Sequence, residues 1–133
     1  MNRFTRSATE RTPEIILDFS TGAFSIRGES YPEDVAAFYG PVMSSLKAFL
    51  DFGPQRPLKF DIELIYFNSS SAKVLMNLFM LLENAAEGGS RITVNWYYLS
   101  DDDTMREFGE EFSEDVRRLE FRVLQRDATA KPK

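Results

Sequence analysis

Three consecutive serines, Ser69, Ser70 and Ser71, carry hydroxyl groups at a position where they could do chemistry. They follow an alternating strand pattern from Leu58 to Tyr66, and helical spacing of apolar residues begins at Ala72. A serine at a helix start can accept hydrogen bonds from unpaired backbone N–H groups. A phosphate esterified there would meet the positive end of the helix dipole. On the residues alone, a helix cap and a regulated phosphorylation site both remain open.

Two methionines on the following helix are a second candidate feature. On a helical projection of residues 72–87, Met76 and Met80 fall on the polar side, opposite the apolar stripe. That side also carries Lys73 and Glu83, so we expect the methionines to be partly exposed. They could pack under a neighbouring loop or helix, or form a docking surface, because methionine side chains adapt to partners. The candidate partner-contact residues are Asn68, Lys73, Met76 and Met80.

The segment 101–115 is strongly acidic and could bind a divalent cation. It lacks the alternating ligands and central glycine of a calcium loop, so a solvated helix face is the favoured interpretation. Apolar residues at helical spacing predict that this helix packs by one face, and they are Met105, Phe108 and Phe112. We therefore predict neither a metal site nor a cofactor.

Composition restricts the class of protein further. The 133 residues include no cysteine and no histidine, which excludes disulfides, thiolate nucleophiles, Ser-His triads and ordinary zinc sites. Without a phosphate-binding glycine loop either, we predict that the protein is not an enzyme. A net charge of -5 argues against nucleic acid as a partner. No apolar stretch reaches membrane-spanning length, so we predict a cytoplasmic protein without membrane insertion.

The remaining patterns predict the elements that position the serines. Residues 14–19 and 23–27 form a hairpin. One helix from Val35 to Leu50 continues across Pro41, which removes a backbone hydrogen bond and should bend it. Residues 58–66 form a strand whose buried row ends with Tyr66, and residues 92–98 form a fourth strand.

Residues 121–124 are predicted to add a short strand or helix end. This order predicts an α/β fold, a two-layer sandwich with a mixed sheet of about four to five strands and helices packed on it. The predicted domain spans 12–126, with flexible tails at 1–11 and 127–133.

Three segments resemble the SiaC family of bacterial regulatory phosphoproteins. They are Gly28–Asp34 (GESYPED), Asp61–Ser71 (DIELIYFNSSS) and Ile92–Tyr98 (ITVNWYY) after a Gly-Gly turn. The resemblance covers nearly the whole predicted domain. The family in turn resembles STAS domains of anti-sigma factor antagonists, which implies a STAS-like sandwich and regulation by phosphorylation at a strand-to-helix junction.

The resemblance also implies a partner switch. The unphosphorylated protein would bind and activate a diguanylate cyclase, raising cyclic di-GMP and promoting aggregation and biofilm. A serine/threonine kinase of the histidine-kinase-like ATPase type would break the complex, and a cognate phosphatase would restore it. By position after Asn68, the implied phosphoacceptor is Ser69, where the family usually has threonine, and Ser70 and Ser71 are chemically equivalent alternatives.

Two other functions are compatible with the sequence. One is a STAS-like antagonist that binds an anti-sigma kinase. Phosphorylation at the same junction would control it, but its partner would be the anti-sigma kinase instead of a cyclase. The other is an enzyme or small-ligand binder that uses the acidic segment 101–115.

Overall fold

The structure, a computed structural model, describes residues 3–53 and 56–127. Along these residues the elements are β1 (Arg3–Arg6), β2 (Glu14–Asp18), β3 (Ala23–Ser30), α1 (Val35–Asp51), β4 (Leu58–Phe67), α2 (Ser69–Glu87), β5 (Ile92–Leu99), α3 (Asp103–Glu114) and β6 (Glu120–Arg126). All of these strands join one sheet in the order of the sequence. The α/β class is confirmed, but the described sheet has six strands instead of four to five.

The sheet is mixed and its helices lie on one face. β1, β2 and β3 pair antiparallel, whereas β3, β4, β5 and β6 pair parallel. Each parallel connection contains one helix and adds the next strand in the same direction, so right-handed crossovers place the helices together. Ring contacts join the sheet to this layer, with Phe24 against Phe49 of α1 and Trp96 against Phe79 of α2. This arrangement of one sheet and one layer of helices confirms the predicted two-layer sandwich.

The segment Arg3–Arg6 pairs with β2, so the prediction of a flexible tail over residues 1–11 is wrong for these four residues. Arg3 is paired with Asp18, and the half-buried Phe4 packs against the core. A single apolar side chain gives no alternation, and the strand exists because β2 supplies the backbone partners. Residues 128–133 of the predicted C-terminal tail lie outside the described residues.

A β-bulge in β4 changes the direction of the side chains shortly before the serines. Gly28 is paired with Leu64, but Glu29 is paired with Tyr66, so Ile65 is the extra residue. Ile65 and Tyr66 consequently both face solvent, with exposed fractions of 62% and 50%. The prediction that Tyr66 continues the buried row is wrong because the bulge interrupts the alternation. Gly28 has a φ of 125°, a conformation that favours glycine, and it lies next to this register shift.

Candidate functional site

Asn68 caps the helix that carries the serines. Its backbone is extended, and its side-chain Oδ1 accepts a hydrogen bond from the N–H of Ser71 over 2.9 Å. α2 therefore begins at Ser69, three residues before the predicted start at Ala72. The capping function that we considered for a serine belongs to Asn68, which leaves the hydroxyl groups of the first turn available for other contacts.

The three serines differ in accessibility. Ser69 and Ser70 are exposed, whereas Ser71 is fully buried. The Ser71 hydroxyl lies 2.8 Å from the Ser30 hydroxyl and donates to the Ser30 carbonyl oxygen over 3.0 Å. The structure therefore argues against Ser71 as an alternative phosphoacceptor, because no kinase could reach this hydroxyl in the folded chain. Ser69 and Ser70 remain accessible.

The surroundings of Ser69 favour negative charge. Ser69 is the first residue of α2, and the N–H groups in the first turn of a helix have no acceptors within the helix. No acidic residue lies in that turn. Lys73 is exposed and lies four residues further along, which places it beside Ser69 on the helix surface. In the part of the chain that the structure describes, no ion pair involves Lys73.

Met76 and Met80 are partly exposed, as predicted, with exposed fractions of 48% and 45%. They lie about 10 and about 17 Å along the helix from Ser69, at 1.5 Å per residue. Together with side chains of α3 and the residue after it, they line a small groove that also includes Phe79, Phe112 and Asp115. One side of each methionine thus borders α3, as the packing interpretation predicts, and the other side faces solvent, where a docking surface stays a prediction.

A second exposed apolar pair lies on the other side of Ser69. The bulge residues Ile65 and Tyr66 precede Ser69 by four and three residues. The ring of Tyr66 packs edge to face against Tyr31, with centroids 5.7 Å apart. Sequence reasoning missed this feature, although Gly28 on the neighbouring strand was a signal of irregular backbone. Exposed apolar side chains therefore flank the accessible serines in both directions along the chain.

Glu83 is buried, contrary to its predicted place on the polar side of α2. Its carboxylate accepts hydrogen bonds of 2.9 to 3.2 Å from three consecutive backbone N–H groups, those of Arg117, Arg118 and Leu119. Burial raises the pKa of Glu83, but these donors and the charge of Arg118 outweigh burial and hold the pKa below its ordinary value. Glu83 thereby connects α2 to the loop that follows α3.

The acidic segment forms α3 with one buried face. Asp102 caps this helix by accepting from the N–H of Met105 over 3.0 Å, and Met105 and Phe112 are buried. Arg106 pairs with Asp103 and Glu110 on the outer face. Among residues 3–53 and 56–127, no group of three or more acidic side chains is placed to hold a metal ion. The same residues include no helix that is long and apolar enough to cross a membrane.

Comparisons with known proteins agree with this arrangement. The family model for SiaC family regulatory phosphoproteins matches residues 6–126. An uncharacterised protein of Pseudomonas aeruginosa strain UCBPP-PA14 is 40% identical over 107 residues, which cover 80% of this chain and 84% of that protein.

Two crystal structures from Pseudomonas aeruginosa have the same fold. Apo-SiaC is 36% identical with a TM-score of 0.82, over 95% of this chain and 99% of that chain. A chain in the complex of the diguanylate cyclase SiaD with its activator SiaC is 35% identical with a TM-score of 0.87, over 92% of this chain and 99% of that chain. Because the family model spans most of its length, this chain belongs to the SiaC family of regulatory phosphoproteins.

Proposed function

We propose that this chain is a non-catalytic, cytoplasmic switch protein that activates a diguanylate cyclase when Ser69 is unmodified and releases it when Ser69 is phosphorylated. A dedicated kinase would add the phosphate and a cognate phosphatase would remove it. The observation that carries the proposal is the exposed Ser69 hydroxyl at the start of α2, flanked by exposed apolar side chains, in a chain of this family.

Support for a cyclase as the partner comes from the similarity to SiaC. In the Pseudomonas aeruginosa complex, SiaC is the activator of the diguanylate cyclase SiaD. The present chain aligns with 99% of a chain of that complex at 35% identity. Nearly all of that chain therefore has a counterpart in the present one.

The proposed contact surface consists of α2 residues Lys73, Met76 and Met80 together with the bulge residues Ile65 and Tyr66. The exposed apolar side chains would supply favourable burial, and methionines adapt to the shape of a partner. Asn68 was also a candidate contact residue. Its side chain is engaged in the helix cap, so we assign it a structural role beside Ser69.

The direction of the switch follows from the charge of phosphate. A phosphoserine at position 69 would carry about -1.5 to -2 charges at pH 7. The helix N-terminus and Lys73 would stabilise this charge on the free protein. Burying it between apolar side chains in a complex would instead require its desolvation, which is costly without a cationic partner. Phosphorylation therefore favours the free protein over the complex.

The test uses purified diguanylate cyclases of the source bacterium and measures conversion of GTP to cyclic di-GMP. We expect the wild-type chain and Ser69→Ala to activate one cyclase and Ser69→Asp to activate it less. Ser70→Asp places the same charge one residue away and serves as the matched control, with activation retained. Activation of no cyclase, together with binding to an anti-sigma kinase, would contradict the proposal and favour an anti-sigma factor antagonist.

A further inference from the structure

Three buried hydroxyl groups lie directly beneath the exposed serines. Ser71 of α2 and Ser30 of β3 are fully buried, and Tyr39 of α1 is 3% exposed. The Ser30 hydroxyl lies 2.8 Å from the Ser71 hydroxyl and 2.5 Å from the Tyr39 hydroxyl. This hydroxyl chain, Ser71–Ser30–Tyr39, connects three different elements at the point where α2 begins.

One arrangement of protons uses each hydroxyl donor once. Ser71 donates to the Ser30 carbonyl oxygen, the Ser30 hydroxyl donates to the Ser71 oxygen, and the Tyr39 phenol donates to the Ser30 hydroxyl oxygen. Burial raises the pKa of Tyr39, so the phenol keeps its proton and can donate it to Ser30. Each hydroxyl group is hydrogen-bonded to the next one in the chain. Removal of one hydroxyl therefore leaves another buried hydroxyl without its hydrogen-bond partner.

The same Ser30 carbonyl oxygen fixes the chain on both sides of Ser69. It accepts from the backbone N–H of Asn68 over 3.1 Å and from the Ser71 hydroxyl over 3.0 Å. Asn68 in turn caps the N–H of Ser71. Ser69 and Ser70 therefore lie between Asn68 and Ser71. These two residues are each hydrogen-bonded to Ser30 of β3 and also to each other.

Helix capping does not explain the buried hydroxyl of Ser71. Asn68 already satisfies the Ser71 backbone N–H, and an apolar side chain could fill a fully buried position without a hydroxyl group. What the hydroxyl adds is a direct bond between the first turn of α2 and β3. This turn is the one that presents the Ser69 hydroxyl to solvent.

We infer that Ser71 is a positioning residue for phosphorylation of Ser69, acting through Ser30 and Tyr39 to hold the first turn of α2 in the orientation that a kinase requires. The inference rests on the proposed function. In the reaction, the Ser69 oxygen forms a bond to the γ-phosphorus of ATP, the bond to the β,γ-bridging oxygen breaks, the hydroxyl proton passes to a base of the kinase, and ADP leaves. Such a transfer depends mainly on positioning of the acceptor oxygen.

The experiment measures phosphorylation of Ser69 by the kinase that modifies it in the source bacterium, at a temperature where every variant is folded. We compare wild type with Ser71→Ala, and with Val94→Ala as a control for lost stability. Val94 is fully buried in β5, where it is paired with Phe60 of β4. Phe60 lies seven residues before the end of β4, so Val94 is far from the first turn of α2. We expect Ser71→Ala to lower kcat about tenfold or more with KM nearly unchanged, because misplacement of an acceptor by about 1 Å can cost up to about 100-fold. We expect Val94→Ala to keep both constants.

The outcomes separate this inference from the proposed function. Wild-type protein that is not phosphorylated at Ser69 would overturn both. Normal wild-type phosphorylation with an unchanged kcat for Ser71→Ala, or an equal loss for Val94→Ala, would overturn only the positioning role. If Ser71→Ala does not fold, Tyr39→Phe replaces it, since this variant removes the outer hydroxyl and keeps the bonds between Ser30 and Ser71. A smaller loss of kcat is then expected, and an unchanged kcat would overturn the inference.

Discussion

Gly109 of α3 lies so close to Trp96 of β5 that a Cβ atom at position 109 would fall 2.4 Å from the indole Cδ1 atom. The same indole donates a hydrogen bond from Nε1 to the carbonyl oxygen of Met105 over 3.0 Å. Both contacts require α3 to lie against the edge of the indole that carries Cδ1 and Nε1. A glycine in the middle of this acidic helix, where it weakens the helix itself, is therefore explained by packing.

Replacement of Gly109 by alanine should destabilise the protein, although alanine is the better helix former. α3 would have to move away from Trp96, and overpacking of this kind costs about 1 to 3 kcal/mol. The measurement is urea unfolding followed by the fluorescence of Trp96, the only tryptophan. Gly88→Ala is the control, because Gly88 has a φ of -79° and its Cβ would meet carbonyl oxygens at 3.4 Å or more. An equal loss for both variants would contradict the packing explanation.

Glu83→Gln should destabilise the protein at neutral pH. Glutamine has a single acceptor oxygen, and its amide group would face backbone N–H donors that the carboxylate now satisfies. Hydrogen bonds to charged groups contribute about 1.5 to 3 kcal/mol, so we expect a loss of that order in the free energy of unfolding. Glu87→Gln removes a charge from an exposed position one turn later and should change stability little. Similar effects of both changes would mean that the buried contacts of Glu83 contribute nothing.

The contribution of Glu83 should also depend on pH in one direction. Its pKa is lower in the folded chain than its ordinary value of 4.5, which applies when the chain is unfolded. The stabilisation is therefore complete above pH 4.5 and decreases as the pH falls through the folded value. Urea unfolding from pH 7 to pH 3 should show the difference between wild type and Glu83→Gln shrinking as the pH falls below 4.5. A difference that stays constant over this range would be inconsistent with a depressed pKa.

Two residues two positions apart on α2 should respond very differently to truncation. Leu78 is 2% exposed and belongs to the core, so Leu78→Ala should lower the free energy of unfolding by about 2 to 5 kcal/mol. Met76 is 48% exposed, and Met76→Ala should cost much less. Chemical denaturation of the two variants under identical conditions gives the comparison. A loss for Met76→Ala as large as that for Leu78→Ala would place Met76 in the core and remove it from the contact surface.

Much of the fold was predictable because its signals are local. The antiparallel pair β2 and β3, the strands β4 and β5, and the three helices all follow from periodicity in their own residues. α1 runs from Val35 to Asp51 through Pro41, as the uninterrupted apolar spacing predicts. The serine junction itself was also correctly located, with an error of three residues in the start of α2.

The features that escaped prediction depend on distant partners. β1 has one apolar residue and exists through its pairing with β2, and Tyr66 turns outward because the register of β4 against β3 shifts at Gly28. Glu83 looks like a surface residue on a helical projection, and only the approach of the 117–119 backbone makes a buried carboxylate favourable there. The burial of Ser71 likewise depends on Ser30, which is 41 residues away in the sequence. Such long-range contacts leave no periodic pattern near the residue concerned.

A phosphate on Ser69, and not on its neighbour, should separate this protein from a diguanylate cyclase. The most direct measurement is the rate of cyclic di-GMP formation by that cyclase with three forms of the chain: unmodified, carrying phosphoserine at position 69, or carrying phosphoserine at position 70. We expect activation by the unmodified form, loss of activation with phosphoserine at 69, and retention of activation with phosphoserine at 70. Equal activation by all three forms would contradict it.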